Sequence, residues 1–220
     1  MTKDHDYLQL IDENTRLWLI QTKQEAADTF NKKYFGCARE DLPDKVFEVN
    51  CDNCKEEFGV EPRLVADFKG IVGDTSDNIP GVKGVGDKTA IPLLTEYGSL
   101  EEIYSTIEAC TSESDKKDLT SFWKQSFGIS RSPIKAFEEH KDIALLSKHL
   151  ATIKTDVPLE LTEEQMQFNY DTDKWNEIFE RYEFKSLVGT TMSDSRLKKK
   201  KNIFGILLFF IKNQSYFYFH

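Results

Sequence analysis

Two groups of residues carry the chemistry this sequence can do. Asp74 and Asp77 stand three apart in the turn-rich stretch GDTSDNIPGVKGVG, residues 73–86. In a turn or first helical coil that spacing lets both carboxylates face one way. Asp4 and Asp6 stand two apart and share a face if the chain is extended there. Grouped carboxylates suit hard divalent cations such as Mg²⁺ or Mn²⁺. A cation held in this way can polarise a phosphate ester for in-line hydrolysis. Taken singly, either pair also serves as a solvated surface or a helix cap.

The second group is Gly81-Val82-Lys83-Gly84-Val85-Gly86, with glycines at i, i+3 and i+5 just ahead of an expected helix. Glycine permits positive φ and close approach of another backbone. A helix start offers unpaired N–H groups and the positive end of the helix dipole. Together they make an anion site, for which phosphate is the natural ligand. Lys83 and Lys88 add charge on either side. The spacing does not fit GxxxxGK[ST], and the strand that precedes a dinucleotide-binding GxGxxG is missing. A tight interhelical turn without ligand is the competing reading.

These residues need elements to position them. Leu64, Val65, Phe68, Ile71 and Val72 recur at helical spacing behind Pro62, which predicts a helix over 61–72. A second helix is expected from about Asp87 to Tyr97, stopped by Gly98. Pro92 lies inside it and removes a backbone hydrogen bond, which predicts a distorted first turn. Ser99 caps a third helix, with Glu101 and Glu102 in its first turn. Helical patterns resume over 133–150 and 173–187, and residues 155–161 read as extended before and after Pro158. The apolar runs Tyr7–Ile11 and Leu17–Ile20 around Asp12-Glu13-Asn14 predict a strand–turn–strand unit. Residues 111–120, TSESDKKDLT, read as a solvated loop.

Composition narrows the classes. The chain has 220 residues, 39% apolar and 30% charged, which suits a globular domain and excludes collagen-like or fully disordered chains. With 29 Lys and Arg against 38 Asp and Glu, the net charge is −9, so a global basic signature for nucleic acid is absent. Four scattered cysteines do not make a disulfide scaffold. No signal peptide opens the chain, so an intracellular setting (cytoplasm or nucleoid, with organelle or nucleus left open) is expected. At the far end, Lys198–Lys201 precedes IFGILLFFI and SYFYFH. That apolar run has nine residues, too short to span a bilayer. A membrane-surface anchor and a non-native tail both fit it.

The stretch GDTSDNIPGVKGVGDKTAIPLLTEYGSLEEIY, residues 73–104, resembles the helix–three-turn–helix segment of the 5′-3′ exonuclease and flap endonuclease family. It looks most like the version at the N-terminus of bacterial DNA polymerase I. Residues 2–11 (TKDHDYLQLI) are similar to the family's strand-end block with two metal-binding aspartates. Residues 145–161 and 182–188 resemble later segments of the same domain. The resemblance implies a structure-selective nuclease acting on DNA 5′ ends and flaps, in replication and repair, with divalent metals held by carboxylates. It implies a metal site of Asp4, Asp6, Asp74 and Asp77. It also implies that Gly81, Val82, Lys83, Gly84, Gly86, Lys88 and Thr89 hold the duplex backbone, where a potassium ion often sits on backbone carbonyls. Such contacts touch phosphate and read no sequence. No small-molecule cofactor and no membrane partner are implied.

The implied fold is mainly α: a helix-hairpin-helix domain attached to a truncated remnant of an α/β metal-binding core. Residues 1–58 would be the core remnant, 59–150 the DNA-binding domain, 151–188 the C-terminal part of the exonuclease domain, and 189–220 the tail. The chain departs from the family where the preceding half of the domain, with the first metal site and the arch, is expected and not found. Lys3 and His5 sit where the family usually has glycine and a Lys or Arg. A polymerase domain or a separately supplied N-terminal half is the implied partner. A non-catalytic duplex-binding module is the alternative reading, and an incomplete product with little independent fold is the third. Cys51-Asp-Asn-Cys54 lacks the second ligand pair of a structural zinc site, and the three tryptophans read as packing residues.

Overall fold

The computed structural model describes residues 1–37, 42–158, 160, 162, 165 and 171–189. In chain order the elements are a 3₁₀ turn at His5–Leu10, β1 (Leu17–Ile20), α1 (Gln24–Phe35), β2 (Val46–Val49) and α2 (Cys51–Phe58). A 3₁₀ turn at Pro62–Leu64 then leads into α3 (Val65–Val72). After the glycine-rich stretch come α4 (Asp87–Tyr97), α5 (Leu100–Ala109), α6 (Glu113–Phe127), α7 (Ile134–Glu139), α8 (Lys141–Ala151) and α9 (Thr172–Arg181). The fold is mainly α, with β1 paired to β2 as the sheet among the described residues. No described helix is long and apolar enough to cross a membrane. The expected tail, apart from Gly189, lies outside the described residues.

The chain forms two compact units. One is Thr2–Gln21 with Phe47–Lys154, and it contains every residue of the site described below. The other holds Met1, Thr22–Val46 and the described residues from Thr155 onward. Inside the latter, Trp175, Phe179 and Leu187 bury against one another, with Val188 packed on them.

Within the first unit, α3 packs chiefly on α8 and also meets α4 and α5. The helices approach closely because Gly70 has no side chain. A Cβ there would lie 2.8 Å from Lys148 Cβ and 3.1 Å from the Ala144 carbonyl oxygen. Asp67 is buried in the same helix, and its carboxylate accepts from the Leu100 N–H at 2.8 Å and from Lys148 Nζ at 2.7 Å. A buried charge is tolerated only when paired and hydrogen-bonded in this way. Glu48, buried on β2, follows the same rule: Arg16 Nη1 and Trp18 Nε1 donate to it at 3.2 and 3.0 Å.

The helix stops and starts around α4 and α5 follow the sequence. Gly98 ends α4 in the left-handed conformation at φ 79°, and the Ser99 hydroxyl accepts the Glu102 N–H at 3.1 Å. Pro92 does not break α4, which runs unbroken over Asp87–Tyr97. Full burial of Ala90, Leu93 and Leu94 holds the helix despite the lost bond. Two local expectations fail. Residues 5–10 are a 3₁₀ turn rather than a strand, because the Asp4 carboxylate caps the Asp6 N–H at 2.9 Å. Most of 111–120 is helical: Ser112 and Asp115 form a reciprocal capping box at the start of α6. Trp123 of α6 is fully buried, and its indole N–H donates to Tyr97 Oη at 2.7 Å.

Candidate metal and phosphate site

The site is built on the link between α3 and α4. Gly73 ends α3 with φ 82° and ψ 178°. The chain then folds back at once: Asp74 and Ile79 exchange both backbone hydrogen bonds at 2.8 Å, and Asn78 turns the loop at φ 58°. Gly81 brings the returning segment against the end of α3, and the Val82 N–H bonds the Ile71 carbonyl at 2.7 Å. A Cβ at Gly81 would lie 2.4 Å from the Gly73 nitrogen, and one at Gly73 would lie 2.5 Å from the Ile79 carbonyl oxygen. The two glycines therefore share one crowded crossing that no larger residue fits. Ser147 of α8, itself buried, accepts the Gly81 N–H at 3.2 Å.

This folding brings carboxylates together. Ligand atoms of Asp6, Asp74 and Asp77 all lie within 4.8 Å of one another. Asp4 stands outside this group; it is exposed, and its carboxylate serves the 3₁₀ turn. Asp74 Oδ1 accepts from the Ser76 N–H at 2.9 Å and from the Ser76 hydroxyl at 2.5 Å. Its Oδ2 accepts from Lys69 Nζ at 2.6 Å, and the same ammonium touches Asp6 Oδ1. The Lys69 hydrogen bond, then that of the Ser76 hydroxyl, holds the Asp74 carboxyl down to about 2. Asp74 is thus a carboxylate throughout the neutral range. Asp77 is exposed and makes no hydrogen bond or ion pair among the described residues.

The donor set fits a hard divalent cation. All three ligands are carboxylate oxygens, the type that Mg²⁺ and Mn²⁺ take. A cation, the Lys69 ammonium, already sits against two of them.

The hairpin presents a separate surface. Gly81 and Val82 are buried in the chain's own packing, whereas Lys83, Gly84, Gly86 and Lys88 are exposed and Thr89 is half-buried. Gly86 starts α4 with φ −121°, a conformation open to any residue, and a Cβ there would meet nothing within 4 Å. Nothing within the fold requires glycine at that position. The N–H groups of Gly84, Gly86, Asp87 and Lys88 donate to nothing among the described residues. Such a row of unpaired donors at a helix start, with Lys83 and Lys88 beside it, matches an anion.

Sequence reasoning overlooked Lys69, Ser76 and Ser147. Lys69 shows in the sequence only as the basic residue in the last turn of VADFKGIV, which does not name Asp6 as its partner. Ser147 carried no signal, because its partner Gly81 is distant in sequence.

The model of the 5′-3′ exonuclease, C-terminal SAM fold, matches residues 60–174. This chain belongs to the 5′-3′ exonuclease family. As a member it is similar to DNA polymerase I of Caldicellulosiruptor bescii, 38% identical over 193 residues. That match takes in 86% of this chain and 18% of the relative. It is also similar to a 5′-3′ exonuclease of Buchnera aphidicola, 40% identical over 113 residues, 51% of this chain and 33% of the relative. The exonuclease-family chain thus spans well under two thirds of the relatives it matches. Among solved structures, T5 5′-exonuclease with divalent metal ions (zinc) bound aligns with TM-score 0.41 and 16% identity. That alignment covers 68% of this chain and 40% of the other.

Proposed function

We propose that the chain is the metal- and DNA-holding part of a structure-selective 5′-3′ exonuclease or flap endonuclease that hydrolyses DNA phosphodiesters in replication and repair. One observation carries this reading. Two carboxylates, Asp74 and Asp77, and an exposed glycine-lysine turn with unpaired N–H donors lie on a single short link between α3 and α4, and Asp6 joins the two carboxylates from the 3₁₀ turn at His5–Leu10. A phosphodiester backbone offers both partners at once: anionic oxygens for the turn and a scissile ester for a cation at the carboxylates.

In this reading Asp6, Asp74 and Asp77 hold Mg²⁺ or Mn²⁺, with Asp4 acting through the turn that carries Asp6. The bound ion would supply Lewis acidity at the scissile phosphate. Lys83, Gly84, Gly86, Lys88 and Thr89 hold the duplex backbone, and Gly81 and Val82 shape the turn that presents them. A potassium ion on the hairpin carbonyls belongs to the same reading. The division of labour would follow the segments 1–58, 59–150 and 151–188, as core remnant, DNA-binding domain and end of the exonuclease domain. DNA with 5′ ends or flaps is the substrate. A polymerase domain or an N-terminal half is the protein partner, in an intracellular setting.

The test is Mg²⁺-dependent cleavage of a 5′-labelled flap duplex by the chain and by the chain within its full-length protein. Asp74→Asn and Asp77→Asn should each abolish cleavage by the competent form. Unchanged rates in both variants would sink the metal assignment. A second reading, duplex binding without cleavage, is favoured by the ligand count. Among the described residues one three-carboxylate group is present, where a two-metal mechanism needs ligands for both ions. Flap-duplex binding with no cleavage at saturating Mg²⁺ is its signature.

A further inference from the structure

The cation among these carboxylates is the chain's own. Lys69 projects from the last turns of α3, and its side chain is only 12% exposed. It contacts Asp6 Oδ1 and donates to Asp74 Oδ2 at 2.6 Å, so two of the three carboxylates face one monovalent ammonium, while Asp6 Oδ1 is buried with no hydrogen bond among the described residues. The third, Asp77, faces solvent with no partner among the described residues. Ligand atoms of all three lie within 4.8 Å of one another. A metal ion bridging them needs the oxygens that Lys69 now occupies. Two cations sharing so small a group of oxygens repel strongly in a partly dry site.

We propose that Lys69 is the resident cation of this site: it holds Asp6 and Asp74 together until a divalent ion displaces its ammonium. This rests on the metal reading above. Without Lys69 the repulsion between Asp6 and Asp74 would push them apart, so the lysine keeps the site assembled. The same contact lowers metal affinity, because the ammonium competes for the oxygens. Asp77, unpaired and exposed, is the first carboxylate an incoming ion meets.

The experiment is Mn²⁺ binding to the 220-residue chain, read from the electron paramagnetic resonance signal of free Mn²⁺. Lys69→Met removes the charge at similar length, and Lys69→Gln keeps a hydrogen-bond donor without it. Both should tighten Mn²⁺ binding by at least about tenfold, as expected when one cation no longer opposes another. Lys69→Arg, which keeps the charge, should not tighten it. Asp74→Asn and Asp77→Asn should weaken it. Unchanged or weaker binding in both neutral variants, with the aspartate variants still weakened, overturns displacement and leaves the metal reading standing. Binding indifferent to both aspartate variants overturns the metal reading and the displacement with it.

A measurement on the unaltered chain covers the case in which the neutral variants fail to fold. Lys69 labelling by an amine-reactive reagent is read by mass spectrometry, with exposed Lys83 as reference. Labelling of Lys69 should rise severalfold at saturating Mn²⁺ while that of Lys83 stays constant. Protection of Lys69 unchanged at saturation refutes displacement.

Discussion

Lys148 of α8 donates to the buried carboxylate of Asp67 on α3 at 2.7 Å, and the same ammonium holds Glu101 of α5 at 2.6 Å. Three helices are tied by one charge. Asp67 is 5% exposed, so removing its cation strands a desolvated carboxylate. Breaking such a pair from one side costs about 3–5 kcal/mol. Lys148→Met should therefore lower the unfolding free energy by roughly that amount, measured by urea denaturation. A loss below about 1 kcal/mol would mean that the pair is solvated like a surface bridge.

The same lysine sets an alkaline limit. Burial opposes the Lys148 ammonium, but hydrogen bonds to Asp67 and Glu101 outweigh it and raise its pKa above the ordinary 10.5. A raised folded-state pKa contributes stability that is full below the unfolded value and is lost as pH climbs through the folded one. The melting temperature should fall above pH 10.5 more steeply in the unaltered protein than in Lys148→Met. Parallel alkaline arms in the two proteins would remove Lys148 as the cause.

Gly81 and Gly86 separate structure from ligand contact. Gly81→Ala forces a side chain into φ 63° and to within 2.4 Å of the Gly73 nitrogen. It should cost at least about 2 kcal/mol of stability. Gly86→Ala meets nothing and needs no unusual backbone, so stability should stay within about 0.5 kcal/mol. On the proposed reading its duplex affinity should nevertheless drop, because the methyl group fills the approach to the N–H row. Paired thermal melts and fluorescence-anisotropy titrations decide this. Full duplex affinity in Gly86→Ala would move the contact elsewhere.

Lys83 and Lys88 are exposed beside that row. If each neutralises one phosphate, the double alanine variant should reduce the slope of log K against log salt by about 2. It should weaken all duplex sequences alike, since phosphate contacts carry no base information. An unaltered slope would exclude the turn as the backbone contact.

Thiol chemistry tests the helix that carries CDNC. Cys51 lies exposed at the first position of α2, while Cys54 is fully buried and its thiol contacts the Val60 carbonyl. Burial pushes the Cys54 thiol up to about 11. At pH 8 a thiol reagent should label Cys51 rapidly and Cys54 only upon unfolding. Equal rates would show that α2 opens readily.

What was legible depended on how locally each feature is determined. Gly98 and Ser99 act on their own neighbours, so α4 and α5 could be read from the sequence. The glycine-rich link was legible for the same reason, since Gly73 and Gly81 meet across a single loop. The start of α6 was missed although its Ser112 and Asp115 cap is written in the sequence. The helix buries little besides Trp123, and so offers almost no apolar periodicity. The run at 5–10 was misread because a short apolar segment fits strand and turn alike, and a capping aspartate decides between them. Lys69 beside Asp6, and Ser147 beneath Gly81, join distant parts of the chain. No local spacing encodes either contact.

The paired hydrogen bonds between Asp74 and Ile79, with Gly81 wedged against Gly73, leave the link between α3 and α4 without slack. On the proposed reading the carboxylate end and the phosphate-gripping end are then two marks on one short ruler. The duplex would be gripped by its backbone, blind to base sequence, and offered to the carboxylates at a constant offset. Position along the strand, not identity of the base, would be what such a protein measures.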